Sequence, residues 1–293
     1  MQKGEVASLI NLLDDSDNEI VSVAINQLCS KGESIIPDLE RAWHECFEEL
    51  PLARIEHVIG QIKSSVTLQK LREWVNTGAA ELLPGAYYMA KLLHPNIAYE
   101  PIAQAIDSIY KDIWIELNPY LTALEKVSII NKVLFDKYQF CNNASQPDTD
   151  PQLFLIDNLL QSKMGNSVAL STLYLCVAEK LELPIKGLDM PYNIVLAYLD
   201  EYYDDGRSLF YIYPFFQGQA LGKQQVEIVV NQNRISESSQ HKYLSVCSNQ
   251  KHLLNMAEAL QHVFTFTEQH ELAKKVKAAI KILSREASPP EQG

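Results

Sequence analysis

The sequence lacks long apolar runs, paired cysteines and an N-terminal leader. No run approaches the roughly 18 apolar residues that a membrane-spanning helix needs, and the first five residues lack the apolar core of a signal peptide. The cysteines are odd in number and show no Cys-x-x-Cys spacing, so neither a disulfide framework nor a zinc site is expected. These absences predict a cytoplasmic protein with reduced thiols and no membrane partner. The five cysteines are Cys29, Cys46, Cys141, Cys176 and Cys247.

Basic residues are also in short supply. The chain has 25 Lys and Arg against 37 Asp and Glu, a formal charge of −12, which would repel a phosphate backbone. The densest basic stretch, at residues 271–277, is interpreted as a solvated helix face. Glu56 and His57 adjoin on one predicted helix, but two ligands are too few for a metal site. We therefore expect no nucleic-acid partner, no metal and no cofactor.

The chain has the length and apolar content that a sizeable core requires: 293 residues, 47% of them apolar. Apolar spacing predicts helices over Glu5–Leu13 and Glu19–Cys29, with Asp17 or Ser16 as the N-cap of the second, and a third helix starting near Ser34. Glycine and proline stand at the joints between these helices. The helices resemble one unit of a HEAT-like repeat, although no period recurs three times.

Helices continue through the next hundred residues. They are predicted over Leu52–Lys63, Val66–Asn76 and Glu100–Leu117, with another that ends before a stop at His94-Pro95-Asn96. A last helix, from Leu121 to Phe140, opens with a capping box in which Thr122 precedes Glu125 by three residues. We therefore predict an α+β, mostly α-helical fold, with a helical HEAT-like region at residues 1–140.

The most informative stretch lies between residues 161 and 213. After the loop 163–166, a helix is predicted from Ser167 to about Leu181, and its apolar residues fall on nearly every side, which is typical of a helix buried in a core. Two short runs follow, 193–198 and 209–213, rich in aromatic and β-branched residues. The segment Asp204-Asp205-Gly206 between them favours a turn. A buried helix with its N-terminus at a small antiparallel sheet is a catalytic architecture.

Four segments here resemble a known family: Asp150-Pro151-Gln152, residues 164–170, residues 187–193 and residues 211–215. They are similar to the SirB-type branch of the transglutaminase-like superfamily, in which D-P-x-N-S is followed by G-N-P-I-S-L, P-x-H-F and a strand ending in D-P-F or N-P-F. The gap from Asp150 to Gly165 matches without insertion, and the resemblance covers most of the chain. It implies a transglutaminase-like, cysteine-protease-like core at residues 141–230 with a small antiparallel sheet.

The sequence departs from that family at the catalytic positions. Active members carry a cysteine nucleophile, a histidine and an orienting Asp or Asn; these positions fall here on Ser167, Asn193 and Tyr213. A serine hydroxyl is not ionised by a helix N-terminus and needs an adjacent base, which neither Asn193 nor Tyr213 provides. The family's D-P-x-N-S has also become D-P-Q-L-F. We therefore expect a vestigial, non-catalytic site in a protein-binding or scaffolding module with a protein partner.

An enzyme stays open as the alternative. It would be a hydrolase or acyltransferase with Ser167 as an atypical nucleophile and His94 or His241 as the base, although the sequence places neither near Ser167. Cys176 cannot substitute, because nine residues along a helix are about 13 Å. The simpler interpretation, which we favour, makes Ser167 an N-cap or first-turn residue, Asn193 a hydrogen-bonding residue on the sheet and Tyr213 a core aromatic.

The C-terminal region is again helical. Gln224–Val230 fits either a helix or a strand, whereas Asn249–Thr265 and Gln269–Ser284 are predicted as a hairpin of tetratricopeptide type. The predicted domains are thus residues 1–140, helical; 141–230, the core; 231–287, the C-terminal hairpin; and 288–293, a disordered tail.

Overall fold

The computed structural model describes residues 2–143, 149–190, 195–200, 207–232 and 244–285. The chain forms two compact units, Met1–Lys70 and Leu71–Gly293. Its described residues are mostly helical with small sheets, so the predicted α+β class is confirmed. The domain boundaries proposed near residues 140 and 230 stay predictions.

The first unit is built from α-helices around one apolar cluster. Its elements are α1 (Gln2–Asn11), α2 (Asn18–Ser30), α3 (Ile36–Glu45) and the first part of α4 (Glu49–Asn76), with 3₁₀ turns at Leu12–Asp14 and Gly32–Ile35. Leu13, Leu28, Leu39 and Val58 are fully buried in the cluster. Of the two proposed caps of α2, Asp17 is the one used: its side chain accepts from the amide of Glu19.

The two helices predicted over residues 52–63 and 66–76 are wrong as separate elements. A single helix, α4, runs through both. Ser64, between the two predicted ranges, is buried inside the helix, and Thr67 donates to the carbonyl of Lys63 at 2.8 Å. A hydroxyl that bonds back to its own helix does not interrupt it.

In the second unit, three helices precede the central segment: α5 (Leu82–Leu93), α6 (Tyr99–Trp114) and α7 (Ala123–Asn131). The stop predicted at His94 and the capping box of Thr122 and Glu125 are both present. The α-helix predicted to reach Phe140 is wrong, because α7 ends at Asn131 and the chain continues as a π-helical turn, Lys132–Lys137. That wider turn keeps three consecutive residues, Val133 to Phe135, in the core.

The central helix has the burial that its sequence predicts. After the strand β1 (Cys141–Asn142), a 3₁₀ turn (Pro151–Phe154), α8 (Ile156–Ser162) and β2 (Met164–Gly165), α9 runs over Ser167–Lys180. Every residue of α9 from Val168 to Ala178 is buried. The helix packs against α5, α6 and α8 and against the first strand of a sheet.

The larger sheet is antiparallel, in the order β3-β4-β5-β6. Its strands are β3 (Ile185–Gly187), β4 (Leu196–Leu199), β5 (Ser208–Tyr213) and β6 (Gln219–Leu221). The two strands predicted from sequence correspond to β4 and β5; β3 and β6 were missed because three residues carry no readable alternation. The turn proposed at residues 204–206 lies outside the described residues. Beside β3, Leu188 bridges to Val246, and the amide of Cys247 donates to the carbonyl of Gly187.

The chain then returns to helices: α10 (Lys223–Gln232), α11 (Asn249–Phe266) and α12 (His270–Leu283). Residues 224–230, open between helix and strand on sequence grounds, are helical. The predicted C-terminal pair corresponds to α11 and α12, which pack extensively against each other. The tail predicted as disordered, residues 288–293, lies outside the described residues.

Candidate functional site

The N-terminus of α9 is held by a short pair of parallel strands. Cys141 pairs with Met164 and Asn142 with Gly165, and the amide of Cys141 donates to the carbonyl of Lys163 at 2.9 Å. Gly165 is closely packed, since a Cβ there would lie 2.9 Å from Leu159 Cδ1 and 3.2 Å from the Cβ of Ala169. The loop before Ser167 is therefore held by pairing with β1 and by packing against Leu159 of α8.

Lys163 makes the turn between α8 and this loop. Its backbone is left-handed, with φ of 65°, and it ends α8. The ammonium group lies 4.6 Å from the centre of the Phe140 ring and 5.7 Å from that of Tyr138. Burial lowers the pKa of the amine. These ring contacts hold the lysine over aromatic faces, an arrangement that stabilises a cation and fixes the turn.

Asn166 is the N-cap of α9. Its Oδ1 accepts from the amides of Val168 at 3.0 Å and Ala169 at 3.1 Å, while its backbone N–H donates to the carbonyl of Leu153 at 2.9 Å. Asn166 is only 1% exposed. Two of the amides that a helix N-terminus offers to an anion are thus already bonded within the chain.

Ser167 is the first residue of α9 and is half-buried. The sequence allowed it to be either an N-cap or a first-turn residue; the cap is Asn166, so Ser167 occupies the first turn. The position corresponds to the cysteine that the family resemblance places at the start of this helix.

Tyr213 ends β5 beside the helix. Its ring lies 4.9 Å from that of Phe216 and 6.3 Å from that of Phe215, centre to centre. Burial raises the pKa of the phenol. The turn Pro214–Phe216 packs against α9, and the carbonyl of Phe215 accepts from Asn142 Nδ2 at 2.6 Å. Tyr213 therefore carries a protonated phenol in an aromatic cluster.

The segment at residues 150–154 contributes packing to the site. The carboxylate of Asp150 accepts from the amide of Gln152 at 2.9 Å and so caps the 3₁₀ turn. Phe154, where the family pattern has serine, is fully buried. The apolar side chains of Leu153 and Phe154 thus fill core space.

Of the two histidines proposed as bases, the structure describes His94 but not His241. His94 follows α5, and its Nδ1 lies 2.6 Å from Asp157 Oδ2 in the first turn of α8. Asn193 and His241 lie outside the described residues, as does Tyr192. The structure thus pairs His94 with a carboxylate.

Sequence reasoning missed His252. It is 1% exposed on α11, and its Nε2 lies 2.9 Å from Oγ1 of Thr172 on α9. Burial lowers the pKa of His252 to about 3, so the ring is neutral at physiological pH. Thr172 and His252 are polar residues on two otherwise apolar helix faces. This pattern predicts a contact between them only when the two helices are already known to pack against each other.

The model of the transglutaminase-like superfamily matches residues 100–258, more than half of the chain. The chain belongs to the transglutaminase-like superfamily. No curated protein and no solved structure matches it.

The matched region holds the candidate site of this transglutaminase-like protein. It contains α9 with its cap Asn166, Ser167 and Tyr213. The strands β3 to β6 and most of α11 also fall within it.

Three cysteines of this transglutaminase-like chain lie within the matched region, and their surroundings differ. Cys176 is buried in α9, as expected, and burial raises its pKa well above the ordinary value of a thiol. Burial likewise raises the pKa of Cys247 to about 12. Cys141 is exposed on β1. The thiols of Cys176 and Cys247 are therefore protonated and poor nucleophiles at neutral pH.

Two further findings concern ligands and membranes. Within the described ranges, no three His, Cys, Asp or Glu side chains are grouped so that they could hold a metal ion. Over the same residues, no helix has both the length and the apolar character needed to cross a membrane.

Proposed function

We propose that this transglutaminase-like protein is a non-catalytic, SirB-type member that acts as a protein-binding or scaffolding module. The observation that carries the proposal is the N-terminus of α9, where Asn166 bonds the amides of Val168 and Ala169 and a serine follows it. A thiolate at this position would gain from those amides and the helix dipole. A serine gains little, because its hydroxyl stays protonated.

The partners that a nucleophile needs also support the proposal. Tyr213 carries a phenol whose pKa burial raises, so it is neither a base at neutral pH nor a carboxylate that could orient one. It packs instead on Phe215 and Phe216. Asn193 has an amide with no usable proton affinity. Neither Tyr213 nor Asn193 therefore supplies the base that a serine nucleophile would need.

The helices outside the core would supply the partner surfaces. We propose that the N-terminal helices form a HEAT-like layer and that α11 and α12 form a tetratricopeptide-like hairpin. Large apolar side chains stand exposed in the connections between helices: Phe47, between α3 and α4, and Tyr120, between α6 and α7, are each 95% exposed. An exposed aromatic side chain of this kind can anchor a protein partner. Five free cysteines fit a reducing, cytoplasmic setting.

The test is labelling of the pure protein with a fluorophosphonate and with iodoacetamide, with the mass of the intact chain as the readout. We expect no fluorophosphonate adduct that depends on Ser167, so the wild type and Ser167→Ala should give the same spectrum. A known serine hydrolase labelled in parallel verifies the reagent. Stoichiometric labelling that disappears in Ser167→Ala would overturn the proposal.

That adverse result would favour the alternative, a hydrolase or acyltransferase with Ser167 as nucleophile. The observation on its side is the pair of His94 and Asp157, since a histidine oriented by a carboxylate is a common general base. His94→Gln would then abolish the labelling as well. Labelling that survives His94→Gln would exclude His94 as the base.

A further inference from the structure

The first unit contains a groove between α1, α3 and the start of α4. Two adjoining cavities form it, of about 510 and 250 Å³, and both are lined by Ile10, Asn11, Ala42 and Glu45. A space of this size is in the range of ligand-binding clefts. We call it the acidic groove and define it by Ile10, Asp14, Ala42, Glu45, Cys46 and Glu48.

The charges that line the acidic groove are of one sign. Among the described residues, the larger cavity is lined by the carboxylates of Asp14, Glu45 and Glu48 and by no cationic side chain. The smaller cavity adds Asp38 and Arg41, which neutralise each other through an ion pair of 3.2 Å. The groove therefore presents a net negative rim.

The floor and lip of the groove are apolar. Ile55 is buried beneath it and belongs to the core of the first unit. Phe47 lines the larger cavity and is 95% exposed, so its ring buries almost no apolar surface when the chain folds. A groove with an apolar floor, an exposed aromatic at its lip and a charged rim has the features of a surface that receives an amphipathic helix.

We propose that the acidic groove docks an amphipathic helix of a protein partner whose apolar face is flanked by lysine or arginine. The charge of the rim selects this occupant, because a helix with acidic flanks would be repelled by Asp14, Glu45 and Glu48. Apolar side chains spaced one turn apart on the partner enter the groove between α1 and α3. This inference rests on the proposed function, because it assumes that the chain binds proteins and names the class of partner.

The binding test uses two synthetic 15-residue peptides on the full chain. Both carry leucine at i, i+3, i+4 and i+7; one has lysine and the other glutamate at the remaining exposed positions. Fluorescence anisotropy at two salt concentrations measures binding. We expect the lysine peptide to bind at least tenfold more tightly than the glutamate peptide, with weaker binding at high salt.

Matched variants separate the groove from the general acidity of the chain. Glu45→Lys reverses a charge that lines both cavities, whereas Glu33→Lys makes the same change at an exposed residue that lines neither. We expect Glu45→Lys to weaken binding of the lysine peptide at least fivefold and Glu33→Lys to change it less than twofold. Equal effects of the two variants, or no binding by the wild type, would overturn the proposal.

Cys46 gives a second readout that does not depend on a variant. It is half-buried in the groove, while Cys141 is exposed elsewhere. Saturating lysine peptide should slow alkylation of Cys46 at least threefold and leave Cys141 unchanged; binding without this protection would place the peptide elsewhere and overturn the proposal. The two proposals can fail separately. Absence of peptide binding would contradict only the groove in the first unit, whereas fluorophosphonate labelling of Ser167 in the second unit would contradict only the non-catalytic function.

Discussion

His252 donates a hydrogen bond to Thr172. The Nε2 atom lies 2.9 Å from Thr172 Oγ1, and that hydroxyl itself donates to the carbonyl of Val168 at 2.8 Å. Since a hydroxyl has a single proton, the proton shared with the ring belongs to the histidine. The bond therefore ties α11 to α9 through a neutral ring with its proton on Nε2.

Acid should destabilise the protein through His252. Burial lowers its pKa from 6.5 to about 3 in the folded state, so the unfolded state binds more protons between these values. The stability that the neutral ring provides is present above pH 6.5 and is lost as the pH falls toward 3, at up to about 1.4 kcal/mol per pH unit. Urea unfolding at pH 7, 5.5 and 4.5 measures the slope.

His252→Gln is the variant that isolates this effect. Glutamine can still donate to Thr172 but does not titrate, so the variant should lose free energy of unfolding more slowly on acidification than the wild type. The exposed His270 provides the control, and His270→Gln should keep the wild-type slope. An unchanged slope in His252→Gln would show that other groups cause the acid sensitivity.

Glu179→Gln should destabilise the second unit by about 1–3 kcal/mol. Glu179 Oε2 accepts from the amide of Leu82 at 2.9 Å, and its Oε1 accepts from Asn249 Nδ2 at 2.7 Å. Both partners are donors, so glutamine would direct its NH₂ group at one of them. Chemical denaturation measures the loss, and Glu258→Gln, at an exposed site on α11, should stay within about 0.5 kcal/mol of wild type. Equal effects of the two variants would contradict this role of Glu179.

Gly218→Ala should lower the free energy of unfolding more than Gly32→Ala does, although both glycines have φ of 70°. The left-handed backbone penalises any Cβ by about 1–2 kcal/mol at either site. At Gly32 the added carbon meets nothing within 4 Å, whereas at Gly218 it collides with the amide of Asn131. That amide donates to the carbonyl of Gly218 and accepts from Tyr174, so it cannot move freely.

Thermal unfolding of both glycine variants measures the difference, which we expect to be an additional loss of about 1–3 kcal/mol at Gly218 from overpacking. Matching losses at the two sites would mean that Asn131 relaxes without cost.

The sequence predicted best the features that depend on neighbours along the chain. The burial of α9 follows from apolar residues on all its sides, and the capping box of Thr122 and Glu125 is a local hydrogen-bond pattern. Features that depend on packing were missed. Nothing local distinguishes a buried Ser64 inside α4 from a helix break, and His252 gains its meaning from Thr172, eighty residues earlier.

The candidate site was predicted in outline for a related reason. The start of α9 at Ser167 and the strand that ends at Tyr213 follow from family spacing and local pattern. The capping role of Asn166 was not singled out, because Asn and Ser are both good N-caps and stand side by side. The strand pairing of residues 141–142 with 164–165 decides where the helix begins, and two-residue strands leave no pattern in a sequence.

Asn166→Ala should destabilise the protein by about 1–2 kcal/mol, near the upper end for an N-cap. Asn166 is 1% exposed, so the amides of Val168 and Ala169 cannot exchange the lost bond for water. Ser248, which caps α11 by accepting from the amide of Lys251, is exposed, and Ser248→Ala should cost only about 0.5–1 kcal/mol. Urea denaturation of both variants measures the difference. If the two losses are equal, water reaches the N-terminus of α9, and the closed helix end that supports a non-catalytic site would have to be abandoned.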